Sequence, residues 1–136
     1  MTRASALIAL GWMMFLASML LVAIDSDMGG ELLRGFEVRG YQYFMGAFLA
    51  PLGRPVATPL WVIVCAGNLT ALGAPLAARW HAAARWCRLT LTSAAACAWM
   101  LSLVGTYVGV IRLYPGYYVW SAALVVLSVA FWVDRR

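Results

Sequence analysis

Four stretches of this chain lack Asp, Glu, Lys and Arg, and each is long enough to cross a lipid bilayer as a helix. They span residues 4–24, 56–78, 89–111 and 113–133. A helix needs about 20 apolar residues to span about 30 Å of hydrocarbon. The sequence therefore predicts an all-α fold, in which one domain over residues 1–136 is a bundle of four transmembrane helices.

The composition argues against an ordinary water-soluble domain. Hydrophobic residues make up 65% of the 136 residues and charged residues 11%, whereas soluble domains carry about 25% charged residues. The basic residues are ten arginines, and they lie at the ends of the apolar runs. Anionic lipid headgroups explain this placement better than nucleic acid does. We therefore expect the lipid bilayer as a partner and no nucleic acid.

One long connection, the outer loop over residues 25–55, separates the first two predicted helices. Its second half, residues 40–53, is uncharged and rich in aromatic residues. That length gives only about 21 Å of helix, which is too short to span a bilayer. We expect an interfacial or re-entrant segment here, between helices 1 and 2.

The arginines also predict an orientation. With both termini in the cytoplasm, six arginines face the cytoplasm and four face outward, and the loop over residues 25–55 lies outside. Cytoplasmic loops of membrane proteins carry the excess of basic residues. The expected location is the bacterial inner membrane, in a multi-pass arrangement.

Asn68 is the most polar side chain in the middle of any span. A bare amide in hydrocarbon would leave up to four hydrogen-bond positions unsatisfied, so Asn68 should face another helix. Hydrogen bonding between helices is the favoured role. The alternative role is contact with a substrate or an ion.

The polar half of the outer loop holds the other candidate ligand-binding residues, which are Asp25, Asp27, Glu31, Arg34, Glu37 and Arg39. Three acids close together supply the oxygen ligands that a hard cation prefers. Their spacing does not match an EF-hand, which needs Glu at loop position 12. A solvated loop with local ion pairs is the favoured interpretation.

The sequence offers no set of catalytic or metal-binding residues. No Asp, Glu, Lys or Arg lies inside a predicted span, which disfavours ion-coupled transport. His81 is the single histidine, so neither a haem held by two histidines nor a multi-histidine metal site is available. Cys65, Cys87 and Cys97 match no zinc or redox spacing. We therefore predict no catalytic residues, no metal and no cofactor.

Small residues recur at helix-packing spacing in the second and third predicted helices. In the second helix they are Ala66, Thr70 and Ala74, and also Gly67 and Ala71; in the third they are Ala94, Ala98 and Ser102, then Gly105 and Gly109. Small residues let two helix backbones approach closely in a membrane. The stripes predict that the second helix packs on the third within one chain. Packing within one chain is favoured over dimerisation.

The last predicted helix begins with YPGYYVWSAA over residues 114–123. Its aromatic residues Tyr114, Tyr117, Tyr118 and Trp120 are typical of a belt at a membrane–water interface. This stretch resembles the last helix of small bacterial inner-membrane proteins of unknown function. Those proteins also have a Gly-rich outer segment and an Asn-containing second helix, as residues 40–53 and Asn68 do here. The resemblance implies a bacterial inner-membrane protein and brings no activity with it.

These observations favour a non-enzymatic accessory or interaction protein that binds a membrane-protein partner or lipid. Two alternatives stay open. One is a small homo-oligomeric channel or transporter with Asn68 near the path. The other is a lipid-modifying enzyme that uses the acids and arginines of the outer loop.

Overall fold

The chain folds mainly into helices, with a small sheet. The computed structural model describes residues 2–26, 37–39, 41, 58–108 and 111–133. The described helices are α1 (Arg3–Leu20), α2 (Thr58–Ala77), α3 (His81–Val108) and α4 (Pro115–Val133). The described strands are β1 (Val22–Ser26), β2 (Glu37–Arg39) and β3 (Ile111–Leu113). The four helices confirm the predicted helical architecture, whereas the strands were not predicted.

Helices that follow one another in the bundle run antiparallel. Arg88 near the start of α3 lies against Trp132 near the end of α4. Further along α3, Ala98 meets Tyr117 at the beginning of α4. The connection between α2 and α3 consists of residues 78–80 only. Short connections make antiparallel neighbours.

α4 is the most deeply packed of the helices that could cross a bilayer, since 56% of its apolar stretch is buried against 28% for α1. α1 and α4 share the most extensive helix contact, and α3 packs against both α2 and α4. The buried face of α1 follows a spacing of four and three residues, which is the period of one helix face. Its members are Ala4, Ile8, Gly11, Phe15 and Ser18.

Two glycines allow close contact between helices. A Cβ atom at Gly67 of α2 would lie 2.2 Å from the Cβ of Ala94 on α3. A Cβ atom at Gly11 of α1 would lie 2.8 Å from Cγ of Leu127 on α4. The first contact confirms that the second helix packs on the third, as the small-residue stripes predict.

The strands form an antiparallel sheet in the order β2-β1-β3. β1 directly follows α1, and β3 directly precedes α4, so the sheet lies where α1 ends and α4 begins. We call this the sheet end of the bundle. The opposite end, where α1 and α3 begin and α4 finishes, carries Arg3, Arg79, Arg85 and Arg88, and we call it the basic end.

Several predicted boundaries are wrong. The first helix ends at Leu20 rather than at residue 24, because Leu21 is already extended and the β-branched Val22 and Ile24 pair with other strands. The third helix begins at His81, eight residues before the predicted start at 89, because Ala-rich residues 82–84 favour helix. Residues 111–113 form β3, where the sequence predicts the end of the third span at residue 111 and the beginning of the fourth at residue 113.

Two of the described helices are long and apolar enough to cross a membrane. They are Arg3–Leu20 and Pro115–Val133, with mean hydropathy of 1.6 and 1.7. α2 contains a shorter apolar stretch, Val62–Ala77. α3 is 28 residues long and therefore measures about 42 Å, which exceeds the thickness of the hydrocarbon layer.

Candidate functional site

Asn68 forms a buried hydrogen bond with a tryptophan of another helix. Its side chain on α2 is 1% exposed, and its Oδ1 accepts a hydrogen bond of 2.8 Å from Nε1 of Trp120 on α4. An indole N–H only donates, so it is the amide oxygen of Asn68 that faces Trp120. The bond joins two helices that make few other contacts. Asn68 therefore acts as a polar contact between α2 and α4.

Trp120 is itself held by its neighbours on α4 and α3. Its ring lies 5.4 Å from the ring of Tyr117, at a tilt of 57°. The Tyr117 hydroxyl donates a hydrogen bond to the backbone oxygen of Ala98 on α3. The Asn68 contact thus belongs to a buried set of side chains that links α2, α3 and α4.

The structure overturns the aromatic-belt interpretation for Tyr117 and Trp120, which are only 3% and 6% exposed. Tyr118, by contrast, is 50% exposed and keeps the position expected of a belt residue. Residues 117, 120, 124, 127 and 131 are all buried along one face of α4. That helical period is the sequence signal that could have revealed the burial.

Hydroxyl groups at the contacts between helices also pair with partners on neighbouring helices. Thr90 Oγ1 on α3 donates to Thr70 Oγ1 on α2 at 3.1 Å. Thr92 Oγ1 on α3 lies 2.7 Å from Ser128 Oγ on α4. These bonds satisfy polar groups that would otherwise be costly to bury in an apolar bundle.

The outer-loop candidates are only partly described. Asp27, Glu31 and Arg34 lie outside the described residues, as does the segment 40–53 apart from Tyr41. Asp25, Glu37 and Arg39 lie in the strands of the sheet end, far along the chain from Asn68. The sheet register places Asp25 opposite both Glu37 on β2 and Arg112 on β3, so these three positions form one row across the sheet.

The basic end of the bundle holds a second arrangement that the sequence did not reveal. The guanidinium carbon of Arg88 lies 5.5 Å from the ring centroid of Trp132, in a cation–π contact. Arg85, Arg88, Leu89 and Trp132 line a cleft of about 250 Å³.

Trp80 and Trp86 lie on the exposed surface of the basic end. They are 65% and 70% exposed and sit beside Arg79, Arg85 and Arg88 in the chain. Trp and Arg together are typical of the headgroup level of a membrane. The cleft therefore lies at the same end of the bundle as these exposed tryptophans.

The chemistry of these sites is that of binding and packing. Among the described residues, no three His, Cys, Asp or Glu side chains come together in a way that could hold a metal ion. No protein-family model, curated protein or solved structure matches this chain. Two features of the described residues remain as candidates for a function: the paired polar groups between the helices and the basic cleft at the end of the bundle.

Proposed function

We propose that this chain is a multi-pass protein of the bacterial inner membrane. Its four helices span the bilayer, and both termini face the cytoplasm. Its role is non-enzymatic and consists of binding a membrane-protein partner or lipid. The observation that carries the proposal is the contrast between the interior of the bundle, where polar side chains pair with one another, and an exterior of large apolar side chains.

The exterior of the bundle supports immersion in lipid. Every helix exposes large apolar side chains, including Leu10, Met13, Val62, Leu69, Leu72, Trp99, Met100, Leu103, Val125 and Val129. Soluble monomers rarely expose contiguous apolar patches larger than a few hundred Å². Lipid chains cover such a surface without cost, whereas water does not.

The interior supports a binding role over the two alternatives. Asn68 is buried and engaged by Trp120, so it helps pack the helices instead of facing an open path through a single bundle. The described core of the bundle includes Val64, Leu91, Leu124 and Leu127, whose side chains are fully buried, as Asn68 is. A lipid-modifying enzyme would need the outer-loop acids to converge on a cavity. Asp25 and Glu37 lie opposite each other in the sheet, whereas the described cleft lies at the other end of the bundle and is lined by Arg85, Arg88, Leu89 and Trp132.

Photo-crosslinking in intact membranes tests this proposal. We expect the full chain to resist extraction from membranes by alkaline carbonate. A photoreactive side chain at Met13 or Met100, both more than 60% exposed, should then form products with lipid or with another membrane protein. The matched control is the same side chain at Arg79, outside the apolar surface, which should form fewer such products.

Two results would contradict the proposal. One is recovery of the chain in the soluble fraction after cell breakage. The other is a carbonate-resistant chain whose labels at Met13 and Met100 give no more lipid or membrane-protein products than the label at Arg79.

A further inference from the structure

The cleft at the basic end is built around a tryptophan whose orientation is fixed. Trp132 Nε1 on α4 donates a hydrogen bond of 3.2 Å to Thr92 Oγ1 on α3. Thr92 is held in turn by Ser128, one helical turn before Trp132, at 2.7 Å between the hydroxyl oxygens. The indole ring is therefore held in one orientation, and it forms one side of the cleft.

Arg88 lies over this indole ring, with its guanidinium carbon 5.5 Å from the ring centroid. A guanidinium carries five N–H donors in its plane, and contact with an aromatic ring uses its face. Arg85 lies three residues earlier on α3, which places both arginines on the same side of the helix. The only acids among the described residues are Asp25 and Glu37, which lie in the strands at the sheet end. The cleft therefore presents positive charge suited to a phosphate group.

Apolar groups complete the cleft and point to a lipid as the source of the phosphate. Leu89 lines the cleft and is 50% exposed, and it leads onto the apolar exterior of α3. A free anion gains nothing from such an apolar edge, whereas the acyl chains of a lipid would continue along it. Trp86 next to it marks the headgroup level of the bilayer.

We propose that the Arg85–Arg88–Trp132 cleft binds the phosphate group of an anionic phospholipid headgroup. This inference rests on the proposed membrane location of the chain, and it adds a defined site and a defined lipid class to the proposed function. The inner leaflet of a bacterial membrane supplies such lipids on the side that the arginines are expected to face.

Native mass spectrometry of the purified full chain in non-ionic detergent tests the site. The chain is titrated with phosphatidylglycerol, with zwitterionic phosphatidylcholine and with inorganic phosphate. We expect the strongest retention of phosphatidylglycerol. Arg88→Gln should weaken this retention about fivefold, since one basic residue near an anionic membrane contributes a factor of that size. Arg79→Gln removes the same charge outside the cleft and should change retention less than twofold.

A second pair of variants tests the contribution of the Trp132 ring to lipid binding. Trp132→Leu removes the cation–π contact and should weaken phosphatidylglycerol retention about two- to fivefold. Trp86→Leu removes an exposed tryptophan that does not line the cleft, and its effect should be smaller. The helical circular dichroism signal, recorded before and after heating, is the control that tests whether each variant is folded. If Arg88→Gln does not fold, Arg85→Gln at an exposed position provides the same comparison.

Three results would overturn the site. They are equal losses for Arg79→Gln and Arg88→Gln, equal retention of phosphatidylglycerol and phosphatidylcholine, and binding of inorganic phosphate as tight as that of the lipid. The last result would assign the cleft to a free anion. Each of them leaves membrane insertion intact, whereas recovery of the chain in the soluble fraction would remove the proposed function itself.

Discussion

Asn68 and Trp120 show how a single polar pair can fix the arrangement of an apolar bundle. Apolar side chains attract one another in many registers, whereas a buried amide oxygen and an indole N–H must meet at hydrogen-bond distance. The bond of 2.8 Å joins α2 to α4, which otherwise touch little. We infer that this pair selects one rotation of each helix about its axis.

Removing the indole N–H should therefore weaken the bundle. We expect Trp120→Phe to lower the free energy of unfolding in detergent by about 1–2 kcal/mol, because Asn68 Oδ1 then stays buried without its donor. Reversible denaturation in mixed micelles, followed by circular dichroism, measures this change. Tyr118→Phe, at a half-exposed neighbour, is the control and should cost less than about 0.5 kcal/mol.

A double-mutant cycle separates the hydrogen bond from the lost ring volume. Asn68→Leu removes the acceptor, and the double variant Asn68→Leu with Trp120→Phe should cost less than the sum of the two single changes. A coupling free energy near 1 kcal/mol is expected for residues in direct contact. Strict additivity would show that the two side chains act independently and would remove the proposed role of the pair.

The sequence predicts part of this arrangement and no more. An amide in the middle of an apolar run must find a partner, and that physical necessity identifies Asn68 as an inter-helix contact. The identity of the partner depends on how α4 is rotated about its axis. The partner, Trp120, lies 52 positions further along the chain than Asn68, so a short stretch of sequence around Asn68 does not contain this information. The same dependence explains why Tyr117 and Trp120 resemble interfacial aromatics although they are buried, and why the Arg88–Trp132 contact was not foreseen.

At the scale of whole elements, the contact between α2 and α3 leaves no room for a side chain at Gly67, since an added Cβ would lie 2.2 Å from the Cβ of Ala94. We expect Gly67→Ala to destabilise the protein by about 1–3 kcal/mol, because the new methyl group would overlap Ala94. The control is Gly73→Ala on the same helix, where nothing lies within 4 Å of the added Cβ. That change should be neutral or stabilising by up to about 1 kcal/mol, because Ala favours helix over Gly.

Thermal unfolding of both variants in the same detergent tests whether the close contact between α2 and α3 requires glycine at position 67. A lower melting temperature for Gly67→Ala together with an unchanged or higher one for Gly73→Ala is the expected pattern. Equal behaviour of the two variants would mean that α2 and α3 can separate by a few tenths of an ångström at no cost, so that the small-residue contact would not define the bundle.

The sheet is the element that the sequence did not predict. Val22 and Ile24 continue the apolar run of α1 without a break, so hydrophobicity alone extends the helix through them. Their strand conformation depends on pairing with β2 and with β3, which lies some 90 residues further along the chain. Such pairing is non-local, and a pattern read over a short window does not contain it.

At the scale of the whole molecule, the two ends of the bundle differ in chemistry. The sheet end carries the described acids, Asp25 and Glu37, and closes the bundle with backbone hydrogen bonds. The basic end carries arginines, exposed tryptophans and the cleft. Under the proposed membrane location, we expect the basic end to face the cytoplasm, because cytoplasmic segments of membrane proteins carry the excess of basic residues.

Site-directed cysteine labelling in intact cells tests this account most directly. In a chain whose three cysteines are replaced by alanine, one cysteine is introduced at Arg39 of the sheet end or at Arg79 of the basic end, both exposed positions. A membrane-impermeant maleimide should label Arg39→Cys in spheroplasts and label Arg79→Cys only after permeabilisation. Labelling of both positions only after permeabilisation, or of both before it, would contradict a bundle that crosses the membrane with its basic end inside.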